Sequence, residues 1–281
     1  MMNGLKTIFL LGLLTGLLIL IGGLIGGEQG LFIGLILSLL MNFLSYWFSD
    51  KFVLMIYRAK EIKKGDMPWI HEMVEDLAHK ARIPKPRVYL IPNNTANAFA
   101  TGRNPKHAAV AVTEGILHLL NKNELEGVLA HELSHIKNRD ILISTIAATI
   151  AGVISYLAAM ARFAAIFGGG RDNRDNGNIF GLLILAILAP LIAMILQFAI
   201  SRSREFLADE SGAKIVNDGK PLAEALEKLA KNVKINPLID GNQATAHMFI
   251  INPFTAKSLI NLFSTHPSTE QRIHKLKAMK F

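Results

Sequence analysis

Four long apolar stretches dominate the pattern of hydrophobic and polar positions along this chain of 281 residues. A helix of about 20 apolar residues crosses the roughly 30 Å hydrocarbon layer of a membrane. The pattern therefore predicts two transmembrane hairpins separated by a polar region. The four predicted spans are Thr7–Ile25, Leu31–Phe48, Ile141–Phe167 and Ile179–Ile200.

Two of these predictions have alternatives. The first apolar stretch could be a cleaved signal peptide, although it is longer than the apolar core of such peptides and no small-residue cleavage site follows it. The second pair of stretches could form a buried hairpin inside a soluble domain. Arg162 and several alanines make the end of the third stretch only weakly apolar, which favours packing against protein.

The polar region between the two hairpins predicts a small sheet with flanking helices. Apolar residues recur at helical spacing over Met67–Lys80, and Arg87–Pro92 has the β-branched and aromatic residues typical of a strand. Asn97–Gly102 and His107–Val112 are expected to add strands to the same sheet, followed by a helix over Thr113–Leu120. We therefore predict a mainly α membrane protein with a small β-sheet.

Composition and charge agree with a membrane protein and predict its orientation. Hydrophobic residues make up 51% of the chain, yet the formal net charge is +8. Lys and Arg follow the second and fourth apolar stretches, whereas the loop Gly26–Gly30 carries only Glu28. Because cytoplasmic loops hold the excess of cations, both termini and both large polar regions are expected in the cytoplasm, on a multi-pass protein of the cytoplasmic membrane. The basic surplus suits an anionic lipid bilayer, and nothing in the pattern indicates nucleic acid.

An H-E-x-x-H motif is the strongest chemical signal. On a helix His131 and His135 project from one face, so both can bind one Zn²⁺. Glu132 lies about 100° further round, where it can serve as general base for a water that the metal activates. Asn123, followed three residues later by Glu126, predicts where this helix begins.

A catalytic zinc site usually has three protein ligands and one open position. The chain has no Cys, so the third ligand must be His, Glu or Asp. Glu205 and Asp209 are four residues apart and share a helix face, so one could bind the metal while the other accepts the free N–H of a ligand His. The alternative is a solvated helix face without a functional role. Two crossings between His135 and Glu205 would return the chain to the same side of the membrane.

These residues resemble the HtpX family of membrane-bound zinc metalloproteases, which are relatives of the CAAX prenyl proteases. The similarity rests on H-E-L-S-H-I-K-N-R-D, on S-R-S-R-E-F-L-A-D, and on the shorter stretches N-A-F-A-T-G, V-T-E-G and T-H-P-S-T-E-Q-R. The resemblance implies a zincin-like (gluzincin) cytoplasmic protease domain with one Zn²⁺ per chain. It implies His131, His135 and Glu205 as ligands, Glu132 as the base and Asp209 as a residue just outside the ligand set.

The resemblance also points to residues that contact the substrate. A peptide is cleaved most easily when it is held as an added strand at a sheet edge. The residues expected to bind it are Asn97, Ala98, Phe99 and Ala100, although a place in the core is the alternative for the Phe99 side chain.

Two further residues are candidates for stabilising the oxyanion. The related prenyl proteases have a His and an Arg six residues later that contact the tetrahedral intermediate, and His266 and Arg272 match that spacing. Without the resemblance, both would be taken as surface residues. Ser268 is expected to cap the helix that carries Arg272.

The expected layout has four parts. A transmembrane hairpin at 1–48 precedes a protease part at 49–140, and a second hairpin at 141–200 precedes another protease part at 201–281. The implied function is stress-related quality control, in which misfolded or damaged membrane proteins or unfolded polypeptides are cleaved. A CAAX-type prenyl-protein protease would need more membrane helices for its chamber, and a metal transporter would place ionisable residues inside its spans. A non-catalytic scaffold is the remaining alternative, and the sequence leaves the oligomeric state open.

Overall fold

The computed structural model describes residues 2–143, 145–146, 202–235, 249–251 and 268–281. Apart from its first helical residues, the predicted second hairpin lies outside the described residues, and so does His266. The elements in chain order are α1 (Met2–Ile56), β1 (Lys60–Glu61), α2 (Pro68–Ala81), β2 (Arg87–Ile91), β3 (Ala98–Gly102), a 3₁₀ turn (Pro105–His107), β4 (Ala108–Thr113), α3 (Glu114–Leu119), α4 (Lys122–Lys137), α5 (Arg202–Val216), α6 (Lys220–Ile235) and α7 (Thr269–Lys277).

Helix α1 is a hairpin of two antiparallel helical arms that meet at Gly27. This residue has φ 57° and ψ −138°, a conformation that glycine adopts readily and that reverses the chain. The arms approach closely: a Cβ on Gly22 would overlap the carbonyl oxygen of Gly30, and one on Gly34 would lie 2.5 Å from the carbonyl oxygen of Leu18. Small residues at such contacts are how helices pack tightly in a membrane.

The second arm of α1, Gly27–Ile56, has the length and composition to cross a membrane, and it is the one such helix among the described residues. Only 17% of its most apolar window is buried, so its apolar surface is available to lipid. The first arm contains a shorter apolar helix, Leu11–Gly23, and Asn42 donates a 2.8 Å hydrogen bond from the second arm to Thr15 in the first. One spanning helix is therefore supported, whereas the four predicted spans are not confirmed.

A mixed sheet of four strands, in the order β1-β2-β4-β3, follows the hairpin. Strand β2 runs parallel to β4 with Tyr89 opposite Ala111, and β3 runs antiparallel to β4 with Ala100 opposite Val110. The three predicted strands and the helices on either side of them are confirmed to within a residue or two. The arrangement leaves β3 at one edge of the sheet.

Alternate residues of each strand face two different layers. One face, which includes Val110 and Val112, packs on α2 and α4 in the main core. The other face packs against the end of α1, where the ring of Phe99 lies 5.3 Å from that of Tyr57. The Phe99 side chain is thus a core residue, as its alternative interpretation predicted. The sheet connects the membrane hairpin to helix α4.

Helix α4 begins at a cap different from the predicted one. Asn121 accepts a hydrogen bond from the Glu124 backbone N–H, and the Glu124 side chain accepts one from the Asn121 N–H, each 2.9 Å long. The prediction of Asn123 with Glu126 is therefore wrong by two residues. Lys228 on α6 also contacts the buried Glu124 carboxylate at 2.8 Å, which ties the start of α4 to a distant helix.

We expect Gly34→Ala to lower the melting temperature of the protein in detergent. The added Cβ must displace the backbone of the facing arm, and such overpacking typically costs about 1–3 kcal/mol. Gly16→Ala is the matched control in the same hairpin, because a Cβ there meets no described atom within 4 Å. That change should be neutral or slightly stabilising, since Ala favours helix over Gly by about 1 kcal/mol. Equal melting temperatures for the two variants would contradict the close packing of the arms.

Candidate metal centre

Three side chains from two helices converge on one point. Nε2 of His131 lies 3.2 Å from Nε2 of His135, and the two carboxylate oxygens of Glu205 lie 3.7 Å and 3.6 Å from these respective nitrogens. Ligands of a tetrahedral Zn²⁺, each about 2.0–2.2 Å from the ion, are separated by roughly 3.3–3.5 Å. The His, His, Glu set therefore fits the spacing and the donor chemistry of a zinc site.

A glycine allows the two helices to meet at this point. A Cβ on Gly212 of α5 would lie 2.9 Å from the backbone nitrogen of His131. Contacts that short are not tolerated, so α5 can pack directly on α4 only because position 212 has no side chain. Glu205 lies about two turns earlier on α5, which places its carboxylate beside the two imidazoles.

A buried carboxylate and a buried guanidinium hold His131. Nδ1 of His131 lies 2.9 Å from Oδ1 of Asp209, so its Nε2 is left to face Glu205. Arg272 of α7, only 1% exposed, donates to both oxygens of Asp209 at 2.8 and 2.7 Å. Burial by itself would raise the pKa of Asp209, but Arg272 and His131 outweigh it and hold that pKa below its ordinary range. Asp209 is therefore an anion that orients the imidazole.

A second carboxylate, Asp140, orients His135, and sequence reasoning missed it. Nδ1 of His135 lies 3.1 Å from Oδ2 of Asp140. Arg139 has φ 58°, and this left-handed turn at the end of α4 brings Asp140 back so that its N–H donates to the His135 carbonyl oxygen. The only signal in the sequence was an acidic residue five positions after the second His.

The same surroundings set the protonation of His135 in the protein without metal. Burial by itself would lower the pKa of His135, but the negative charges of Asp140, Glu205 and Glu132 outweigh it and raise the pKa to about 10. A metal ligand must be a neutral imidazole, so a bound cation has to displace this proton.

Glu132 lies between the helix and the edge strand. It is 6% exposed, and its Oε2 accepts a 2.9 Å hydrogen bond from the Ala100 N–H of β3. Burial raises the pKa of Glu132, although the neighbouring His131 and His135 act in the opposite direction. A carboxylate whose pKa is shifted towards neutrality is suited to take up and release a proton.

The hydrogen-bonding pattern shows which groups of β3 face the free edge of the sheet. Thr113 donates its N–H to the Asn97 carbonyl oxygen at 3.0 Å, so by alternation the backbone groups of Phe99 also face β4. Those of Ala98 and Ala100 face outward, as the bond from Ala100 to Glu132 requires. The side chain of Asn97 accepts a hydrogen bond from the Ile250 N–H at 3.1 Å and so holds a neighbouring segment.

The geometry thus brings most of the predicted site residues together. Arg272 lies at the site, where its Nη1 is 3.7 Å from Glu205 and donates to the Ile250 carbonyl oxygen at 3.1 Å. Its pairing with Asp209 was not predicted from the sequence, although each of the two residues was. The side chain of Ser268 caps α7 by accepting from the Gln271 N–H, as expected.

Comparisons with known proteins show the family of the chain. The family model described as Peptidase family M48 matches residues 65–280. The chain is 54% identical over 277 residues to the protease HtpX homolog of Syntrophobacter fumaroxidans, covering 98% of both chains. It is 55% identical over 274 residues to the protease HtpX homolog of Thermococcus kodakarensis, covering 97% of this chain and 94% of the relative.

Among solved structures, the fold is similar to that in the crystal structure of S. mikatae Ste24p. The TM-score is 0.50 at 18% sequence identity, and the match covers 98% of this chain but 65% of the other, so the chain spans about two-thirds of that protein's length. At this identity the likeness concerns the fold alone. The family model and the full-length relatives carry the assignment: this chain belongs to peptidase family M48, as a membrane-associated metalloprotease of the HtpX family.

Proposed function

We propose that the protein is an integral-membrane zinc endopeptidase that cleaves misfolded or damaged membrane proteins from the cytoplasmic side. One observation carries this proposal: His131, His135 and Glu205 converge at zinc-ligand spacing, with Glu132 beside them and an edge strand within hydrogen-bonding distance of Glu132. The relatives are named as proteases of the HtpX type, which favours neither a prenyl-protein protease nor a non-catalytic scaffold.

Each part of the site has a distinct role in this proposal. When bound, Zn²⁺ polarises the scissile carbonyl group and makes water more acidic. The Glu132 carboxylate takes a proton from the attacking water and returns it to the leaving amine. The Ala100 N–H is taken by Glu132, so the outward groups of Ala98 and the carbonyl oxygen of Ala100 would hold the substrate as an added strand. Asn97 would keep the neighbouring segment in position.

Arg272 contributes charge to the same reaction. Asp209 fixes its guanidinium, and Nη1 lies 3.7 Å from Glu205, close enough for the positive charge to help stabilise a developing oxyanion. His266 lies outside the described residues and stays a predicted partner in this role. Arg272 also holds Asp209, so its replacement should disturb both the ligand geometry and the charge balance.

The membrane location defines the proposed class of substrate. The end of α1 packs on the sheet that carries β3, so the apolar hairpin holds the protease part at a fixed place relative to the bilayer. Cations follow α1 in the sequence, which supports a cytoplasmic location for this part. Polypeptide segments that emerge from the membrane in an extended state are the substrates that such a site can reach.

We expect Glu132→Gln to reduce proteolysis of an unfolded membrane-protein substrate by about 10²–10⁴-fold, because proton transfer by a general base contributes that much. The variant should keep its metal, since Glu132 is not among the three converging ligands. Rates are measured by cleavage of the reconstituted substrate, and metal content by elemental analysis. Glu126→Gln on the same helix is the matched control and should retain full activity. Wild-type rates for Glu132→Gln would exclude this residue as the base.

Zinc uptake by the metal-free protein should release a proton at neutral pH. The pKa of His135 is raised to about 10, so the imidazole is protonated below that pH and must lose its proton to bind the cation. The apparent zinc affinity should therefore rise with pH from 6 to 9. Calorimetric titrations in buffers of different ionisation enthalpy count the protons. Uptake without proton release at pH 7 would contradict a protonated His135.

We expect Asp140→Asn to weaken zinc binding by about 10–100-fold, as is typical when a residue that orients a metal ligand is changed. An amide cannot supply the negative charge that supports the imidazole, although it keeps the shape of the side chain. Competition with a chelating dye measures the affinity. Asp66→Asn, at an exposed turn, is the control and should bind zinc like the wild type. Equal affinities for both variants would mean that Asp140 does not position His135.

A further inference from the structure

An open pocket of about 550 Å³ lies where the membrane hairpin meets the sheet, and no residue of the metal centre lines it. One wall is aromatic and belongs to the second arm of α1, where it contains Phe43, Trp47 and Phe48. The other wall is basic and includes Arg103 and Lys106 from the connection between β3 and β4. An apolar wall facing a cationic wall is the surface that an amphipathic anion requires.

Some of the pocket cations already have acidic partners. Arg87 pairs with Asp50 at 3.3 Å, and Lys85 pairs with Glu75 at 2.6 Å. These pairs leave their positive charges largely neutralised. The surplus charge of the pocket must therefore come from its other cations.

Three cations supply that surplus: Lys51, Arg103 and Lys106. Within the described part of the chain, none of them lies within 4 Å of a carboxylate oxygen. The guanidinium of Arg103 lies 4.5 Å from the Trp47 ring, and the Lys51 ammonium lies 5.2 Å from the Phe48 ring. These contacts hold the cations over the aromatic wall without neutralising them. The basic surface continues beyond Lys106 into an adjoining pocket lined by Arg82, Lys137 and Arg139 among others.

The depth of the pocket matches that of lipid headgroups. A helix needs about 20 residues to cross the hydrocarbon layer, and twenty residues beyond Gly27 is Trp47. Trp is typical of the boundary between hydrocarbon and water. Phe43, one turn closer to the membrane centre, is 55% exposed, and Leu39 before it is 61% exposed. An apolar track thus leads from the hydrocarbon layer to the cationic wall.

We propose that this pocket binds the phosphate headgroup of an anionic phospholipid, with an acyl chain along the exposed track of Phe43 and Leu39. A soluble phosphate compound would share the contacts to Lys51, Arg103 and Lys106 but would leave the aromatic wall unused. The membrane depth of that wall therefore favours a lipid. The proposal does not depend on the catalytic activity, because no residue of the metal centre lines the pocket.

The chain itself provides a reporter for this lipid. It contains two tryptophans, so Trp69→Phe leaves Trp47 as the only one. The full-length variant is placed in phosphatidylcholine nanodiscs that contain increasing fractions of brominated phosphatidylglycerol or brominated phosphatidylcholine. We expect brominated phosphatidylglycerol to quench half of the Trp47 fluorescence at a fraction at least fivefold lower than brominated phosphatidylcholine does. Equal quenching by the two lipids would overturn the proposal.

Two double variants with the same change in net charge distinguish binding in the pocket from general attraction of the protein to anionic lipid. Lys51→Gln with Lys106→Gln keeps Arg103 over Trp47 and should raise the half-quenching fraction of the anionic lipid to that of brominated phosphatidylcholine, because each lost cation weakens the attraction roughly fivefold. Lys220→Gln with Lys231→Gln changes the net charge equally on α6 and should leave the preference intact. A loss of preference in both pairs would mean non-specific attraction and would overturn the proposal.

One further arm distinguishes a lipid from a soluble anion. Glycerol phosphate is added to the same nanodiscs at millimolar concentration. The preference for the brominated anionic lipid should persist, because the soluble compound lacks the acyl chain. Complete displacement by glycerol phosphate would assign the pocket to soluble phosphates instead. Unchanged melting temperatures of all variants confirm that they are folded.

Discussion

The arrangement of the metal centre depends on the pairing of one buried cation. Arg272 is almost fully excluded from water, and a buried guanidinium is tolerated only when an anion compensates its charge. Asp209 provides that charge through two hydrogen bonds and in turn contacts His131. One ionic chain therefore links α7, α5 and α4, which are far apart in the sequence. The buried Arg272–Asp209 pair therefore holds the imidazole of His131 in position.

The charges around the site favour a divalent cation. Among the described residues, four buried carboxylates surround the two imidazoles, and the only nearby guanidiniums are those of Arg204 and Arg272. The surplus of two negative charges matches the charge of one zinc ion. In the absence of metal, a proton on His135 offsets part of it, which is why the pKa of that imidazole is raised. A metal ion and a proton thus compete for the His135 imidazole and the negative charge around it.

Local patterns in the sequence predicted the strands, the helices beside them and the convergence of two imidazoles, whereas long-range contacts decided the rest. The H-E-x-x-H spacing places two imidazoles on one helix face whatever surrounds the helix. The start of that helix was wrongly placed at Asn123, because its true cap depends on Glu124, which is buried against Lys228 of α6. Asp140 was missed because its position depends on the left-handed turn at Arg139, which no residue type announces.

Strand β3 connects membrane attachment with catalysis. The side chain of Phe99 points to one face of the sheet, where it packs against Tyr57 at the end of the membrane hairpin. The next residue, Ala100, donates its N–H, which faces the free edge of the sheet, to the Glu132 carboxylate of α4. Strand β3 therefore contacts both the membrane hairpin and Glu132.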